Sequence, residues 1–236
     1  MKEIFAFIEQ KKQEFAQLPF FEFLQDNSID PRQRLAFTPC IAPFAMGFGE
    51  MNKDVFREEP TNDPIQKIIN KHTREDDHHW LWFLHDLQQL GYDQTLSFSD
   101  ALKFLWSEET KIPRQVIYEI YRHSFQAEPI KKLIVIEAIE ATGNVMSSMV
   151  APISQEIKII SNKECVYFGE IHLSVETGHT MCINNIIEII DGIQFTEKTR
   201  QKAFELVENV FNIFTEFMDT LLIYAKTHSY DSRFIK

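Results

Sequence analysis

Two triplets of histidine and carboxylate residues with the same spacing constrain this sequence most. The first reads H-x-x-x-D-x-x-H and the second H-x-x-x-E-x-x-H. At about 100° per residue, steps of four and seven return to nearly the same side of an α-helix, so each triplet predicts a stripe on one helix face. Two facing stripes would supply four imidazoles and two carboxylates, a ligand set for one or two first-row transition metals, with iron favoured. The six residues are His72, Asp76, His79, His172, Glu176 and His179.

Glycine usage and hydrophobic content extend the helical prediction to the whole chain. The 236 residues include only 7 Gly, far fewer than an all-β fold needs for its turns. A hydrophobic content of 44% with 21 Phe is sufficient to fill a substantial core. The sequence therefore predicts an all-α fold of about seven or eight helices, with residues 1–236 forming one domain.

Apolar periodicity, caps and prolines place the individual helices. Pro39 and Pro43 should kink the third helix, Gly91 should end the helix with the first triplet, and Pro152 should interrupt a long apolar helix. Residues 165–190 should carry the second triplet. The predicted helices from residue 31 onwards include 31–57, 64–90, 129–149, 153–160, 165–190 and 196–226.

Charge and cysteine usage exclude several classes of function. The formal net charge of −11 argues against nucleic acid and anionic membranes as partners. We find no signal peptide and expect no apolar stretch long enough to span a bilayer. Three cysteines without C-x-x-C spacing indicate reduced thiols, so we expect a cytoplasmic protein.

Two further carboxylates are candidates for the metal site. Glu137 and Glu140 lie within an apolar helix, where a buried carboxylate needs a cation or a metal. Glu140 is the better candidate because apolar residues and Gly143 flank it on one face. In the first triplet Glu75 is adjacent to Asp76, and the sequence leaves open which of the two is the ligand.

With these residues the chain resembles the heme-oxygenase-like superfamily. The features that carry the resemblance are the kinked Pro/Phe helix, the segment NKHTREDDHHWLWFL at 70–84, Glu140 and the second triplet. The similar branch contains the non-haem diiron oxidases and the Chlamydia protein associating with death domains, and the TenA proteins are relatives by fold. The resemblance implies three ligands from the second triplet, one from Glu140, and a carboxylate and a histidine from 72–79.

The first triplet departs from the diiron pattern. That pattern usually has a carboxylate one or two turns before the histidine of the early helix, whereas His72 stands seven residues before His79. The ligand set is then either richer in histidine than usual or uses Glu75. Whether one or two metals bind stays open.

The resemblance implies an O₂-dependent non-haem iron oxidase or oxygenase that acts on a small metabolite. We expect two irons per chain, with manganese as the alternative metal and no haem, since residues 1–25 contain no histidine. A homodimer is a further expectation. One alternative is a TenA-like thiamin-pyrimidine hydrolase, for which Cys40 or Cys182 would be the nucleophile, and another is a non-enzymatic binding protein of the same fold.

Overall fold

The chain forms a helical bundle in the residues that the computed structural model describes. These are residues 1–93, 95–181 and 195–230, with the backbone alone described for 176–181. No strand occurs in these ranges, so the all-α prediction is confirmed. Helices α1 to α4 span Lys2–Phe15, Pro19–Gln25, Pro31–Arg34 and Ala42–Met51. Helices α5 to α8 span Pro64–Asp76, His79–Leu90, Phe98–Leu105 and Lys111–Ser124. Helices α9 to α11 span Pro129–Ser161, Glu170–Met181 and Glu197–Thr227.

Helix α9 is the centre of the bundle. It contacts α1, α2, α3, α5, α8, α10 and α11, and most of its apolar side chains are buried. A helix that is apolar on nearly all sides has to be covered by neighbours on all sides. Side chains on α9 therefore face several layers of the bundle, and Glu140 lies in the N-terminal half of this helix.

The prediction that Pro152 interrupts this helix is wrong. Helix α9 continues through Pro152 to Ser161, where Asn162 ends it in a left-handed conformation. Pro152 lies on the exposed side, whereas Ala151, Ile153 and Ile157 on the inner side are almost completely buried. Burial of these neighbours stabilises the helix by more than the missing backbone hydrogen bond costs.

The expectation that no apolar stretch is long enough to span a bilayer is also corrected. Within the described ranges α9 is long and apolar enough, by length and composition, to cross a membrane. In the structure 56% of its most apolar window is buried against the rest of the chain. Such burial is typical of the core helix of a bundle.

The predicted kinked helix at 31–57 is a series of separate helical segments. Helix α3 ends at Arg34, a 3₁₀ turn spans Thr38–Ile41, and α4 is followed by a π turn at Asn52–Phe56. Pro39 and Pro43 each stand in the first turn of a new segment, where the missing N–H leaves no hydrogen bond broken. The prolines therefore start new helical segments instead of kinking a continuous one.

Candidate metal centre

The first triplet lies across a break between two helices. Helix α5 ends at Asp76 and α6 begins at His79. Between them His78 leaves the helical conformation, with φ −121° and ψ 2°. The predicted continuous helix over 64–90 is therefore wrong, although its end is confirmed, since Gly91 ends α6 with φ 86°.

Arg57 explains where α5 stops. Its guanidinium donates to the carbonyl oxygen of Thr73 at 2.8 Å and to the carboxylate of Asp77 at 2.7 Å. Thr73 lies in the last turn of α5, and its carbonyl oxygen also accepts the backbone N–H of Asp77 at 3.2 Å. The arginine is a second donor to this carbonyl and also binds the Asp77 side chain, so it holds the end of α5 in place before the chain turns to His79.

His72, Asp76 and Glu140 form a compact group between α5 and α9. Nε2 of His72 lies 2.9 Å from a carboxylate oxygen of Asp76 and 3.3 Å from one of Glu140. One potential ligand atom from each residue lies within 4.8 Å of those of the other two. Asp76 is almost completely buried, with 3% of its surface exposed. The helical spacing supplies the first pair, and the packing of α5 against α9 supplies Glu140.

The two carboxylates determine the charge of the histidine between them. Burial alone lowers the pKa of His72, but the negative charges of Glu140 and Asp76 outweigh it and raise the pKa well above its ordinary value. Burial also raises the pKa of Glu137 to about 7, and the charge of Glu140 adds to this increase. In the metal-free protein an imidazolium therefore balances the carboxylates.

His79 on α6 and His172 on α10 lie next to each other beside this group. Their ring centroids lie 4.8 Å apart, and the ring of His79 stacks on Trp82 at 4.2 Å. Nδ1 of His79 lies 3.7 Å from a carboxylate oxygen of Asp76, which joins this histidine pair to the group on α5 and α9. Nδ1 of His172 donates to the backbone carbonyl of Tyr167 at 2.8 Å.

An apolar cavity of about 100 Å³ adjoins these residues. Asp76, His79, Glu140 and His172 line it at one side. The rest of the wall is mainly aromatic and aliphatic, and the described residues that form it include Phe15, Ile41, Phe44, Phe48, Trp80, Ile139, Met146, Val150, Phe214, Phe217, Met218 and Leu221.

The phenylalanines Phe37, Phe44 and Phe48 divide between this wall and the core. Phe44 and Phe48 stack on each other in the wall of the cavity. Phe37 instead packs edge-on against Phe20 and Phe168 in the core. Gly49 also lines the cavity, and a Cβ there would lie only 3.0 Å from the ring of Trp80, which would have to shift.

The donor atoms of His72, Asp76 and Glu140 fit a single transition-metal ion. Ligand bonds of about 2.1 Å place two donors on opposite sides of one ion about 4.2 Å apart. The observed spread of at most 4.8 Å closes to that distance with small side-chain movements. One imidazole and two carboxylates are a donor set that suits iron or manganese.

The remaining predicted ligands differ in where they lie. Glu75 is on α5 but does not belong to the group with Asp76 and does not line the cavity. The side chains of Glu176 and His179 lie outside the described part of the structure, although the backbone of α10 includes both positions. The structure therefore brings together five of the predicted residues, namely His72, Asp76, His79, Glu140 and His172.

Cys40, one of the two cysteines that could serve a hydrolase, does not line the described cavity. The Cys40 thiol donates to the carbonyl of Glu109 at 3.2 Å, and this residue is not part of the described cavity wall. Burial and the nearby Glu109 carboxylate raise the pKa of the Cys40 thiol to about 12, which opposes the thiolate form that a nucleophile requires. Cys182, the other candidate, lies outside the described residues.

Sequence reasoning missed Asp86 and Tyr167, which lie beside the site where the chain enters α10. Asp86 is fully buried on α6 and accepts hydrogen bonds from the backbone around Tyr167. A carboxylate among the apolar residues of α6 is the same signal that identified Glu140, and it could have indicated Asp86. Tyr167 acts through its backbone carbonyl, for which the sequence carries no signal.

Comparison with solved structures identifies the fold. The chain aligns with a domain of unknown function from Shewanella denitrificans OS217, described as having a heme oxygenase-like fold, with a TM-score of 0.54 and 14% sequence identity. The alignment covers 97% of this chain and 95% of that domain. The chain has the heme oxygenase-like fold.

This result confirms the predicted fold and no more, because 14% identity carries no information about activity. No protein family model matches the sequence. No curated protein matches it either. Within the heme oxygenase-like bundle, the group of His72, Asp76 and Glu140 lies between α5 and α9, beside the apolar cavity.

Proposed function

We propose that this protein is a non-haem iron oxidase or oxygenase that uses O₂ and acts on a small metabolite. The observation that carries the proposal is the group of His72, Asp76 and Glu140, whose ligand atoms lie within 4.8 Å of one another at the side of an apolar cavity. His79 and His172 add two further imidazoles at that side. A second iron would depend on Glu176 and His179, as the resemblance implies.

Each residue of the group has a definite role in this proposal. Asp76 and Glu140 supply anionic oxygens, and His72 supplies a nitrogen after it releases the proton that the two carboxylates stabilise. Bound iron would supply the electrons that reduce O₂. The apolar wall formed by Phe44, Phe48 and its neighbours keeps water away from the reacting groups.

The cavity wall also bears on the kind of substrate. Among the described residues that line it there is no lysine or arginine. Residues 176–194 contain neither in their sequence. A phosphorylated substrate or a nucleotide would therefore find no lysine or arginine among these residues to bind its charge. These features support a small, largely apolar metabolite, held at its polar end by the metal.

Anaerobic reconstitution with Fe(II) tests the proposal. After removal of unbound metal, we expect one to two irons per chain by elemental analysis, and a transient visible absorption band when O₂ is admitted. Replacing His72, Glu140 or His172 by Ala should each reduce the iron content to less than half. Iron content below 0.2 per chain in the wild-type protein would contradict the proposal. Hydrolysis of an aminopyrimidine by the metal-free protein would favour the TenA-like alternative.

A matched pair of variants decides between the neighbouring carboxylates. Asp76→Asn removes the buried carboxylate next to His72, so iron binding should be lost. Glu75→Gln makes the same chemical change one residue earlier, outside the group, and should leave the iron content unchanged. The reverse result would assign the ligand to Glu75. His123→Ala, on α8 away from the cavity, controls for loss of an unrelated histidine.

A further inference from the structure

Asp86 on α6 holds the turn that precedes α10. One of its carboxylate oxygens accepts the backbone N–H of Val166 at 2.7 Å, and the other accepts that of Phe168 at 2.8 Å. Nδ1 of His85 lies 3.1 Å from the first oxygen. Asp86 is fully buried, so both backbone bonds form without competition from bulk water.

The residue between these two hydrogen-bonded amides accepts a hydrogen bond from His172. Tyr167 lies between Val166 and Phe168, and its carbonyl oxygen accepts a hydrogen bond from Nδ1 of His172 at 2.8 Å. A carbonyl oxygen can only accept, so Nδ1 carries the proton. In the neutral imidazole the lone pair is then on Nε2, the other ring nitrogen.

We infer that Asp86 is a positioning residue that sets the orientation and the tautomer of His172 through the turn at 165–168. The inference rests on the proposed function, because it makes His172 a metal-binding imidazole with Nε2 as its donor. Partners that orient a metal-binding histidine in this way typically change metal affinity by about 10- to 100-fold when they are removed.

The turn is built tightly enough to transmit the position of Asp86. A Cβ atom at Gly169 would overlap the carbonyl oxygen of Cys165, so the chain there closes more sharply than a side chain permits. The Tyr167 ring packs against Phe83 of α6 at 5.5 Å and against His172 at 4.8 Å. Displacement of this turn therefore moves the carbonyl that holds His172.

The tautomer of His172 in the metal-free protein tests the inference directly. Long-range ¹H–¹⁵N correlation spectra at pH 8 should show the Nδ1–H form for His172 in the wild-type protein. In Asp86→Asn one acceptor oxygen becomes an NH₂ group, which cannot accept the second amide, so we expect a clear shift towards the Nε2–H form. Asp86→Ser, which leaves space for water, provides a second variant if the asparagine variant does not fold.

A control variant separates this role from a general loss of stability. Thr110→Val removes another buried side chain that bonds to the backbone. The Thr110 hydroxyl donates to the carbonyls of Phe104 and Leu105, away from the cavity. It should leave the tautomer of His172 unchanged. An unaltered Nδ1–H form in a folded Asp86 variant, or the same change in Thr110→Val, would overturn the inference.

Metal binding supplies the second readout and separates the two proposals. Titration with Mn(II), followed by electron paramagnetic resonance of the free ion, should show about tenfold weaker binding for Asp86→Asn and no change for Thr110→Val. If the wild-type protein binds no Mn(II) and no Fe(II), the proposed function fails. The tautomer measurement needs no metal and still decides whether Asp86 positions His172.

Discussion

At the scale of single residues, Glu137 gives the protein a measurable pH dependence. Burial and the charge of Glu140 raise the pKa of Glu137 to about 7 in the folded protein, so the unfolded chain loses this proton first as pH rises. Stability therefore falls between the ordinary pKa of glutamate and about pH 7. Glu137→Gln should stabilise the metal-free protein at pH 8 by about 2 kcal/mol and have no effect near pH 4.

Urea unfolding at pH 4, 6 and 8, in the presence of a chelator, measures this effect. Glu208→Gln, which changes an exposed carboxylate on α11, is the matched control and should show no difference at any of the three pH values. A stabilisation of Glu137→Gln that is equal at pH 4 and pH 8 would mean that better packing, and not the charge, causes it.

At the scale of helices, Arg57 controls the joint between α5 and α6. Its side chain is mostly buried and binds both Thr73 and Asp77, so Arg57→Met should lower the free energy of unfolding by about 1.5–3 kcal/mol. Amide exchange at 73–79 should become faster, because the joint loses its partner. Arg74→Met, which removes an exposed pair with Glu59, should cost less than about 1 kcal/mol. Equal losses in the two variants would contradict the role of Arg57.

The same joint shows what the sequence could and could not predict. The pairing of His72 with Asp76 follows from helical spacing, and Glu140 stands out as a carboxylate in an apolar helix. The break before His79 depends on Arg57, 20 residues before Asp77, and no local pattern records that contact.

The partners of Asp86 could not be predicted for a related physical reason. Its partners are backbone amides 80 and 82 residues further along the chain, and backbone amides carry no sequence signature. Spacing therefore predicts pairs within one helix, and apolar context predicts which charges are buried. The partners that a side chain finds in another element depend on packing, which the pattern of a single sequence does not specify.

At the scale of the whole molecule, a metal ion at the candidate centre would connect segments far apart in the chain. His72 and Asp76 come from α5 and Glu140 from α9, so one ion bound by all three would link the N-terminal half of the bundle to its central helix. The unfolded chain does not present these donors together, so binding should stabilise the folded state. At a free metal concentration about 100 times Kd, we expect a rise in Tm of about 5–10 °C.

Differential scanning calorimetry under anaerobic conditions, with and without Fe(II), measures this rise. In the double variant His72→Ala/Glu140→Ala the rise should disappear, because only Asp76 of the three donors remains. Hydrogen exchange should slow on α5 and α9 with metal and stay unchanged on α7, which contributes no residue to the described cavity wall. Equal rises in Tm for the wild-type protein and the double variant would place the ion elsewhere on this acidic chain, since a net charge of −11 offers many weak sites for a cation.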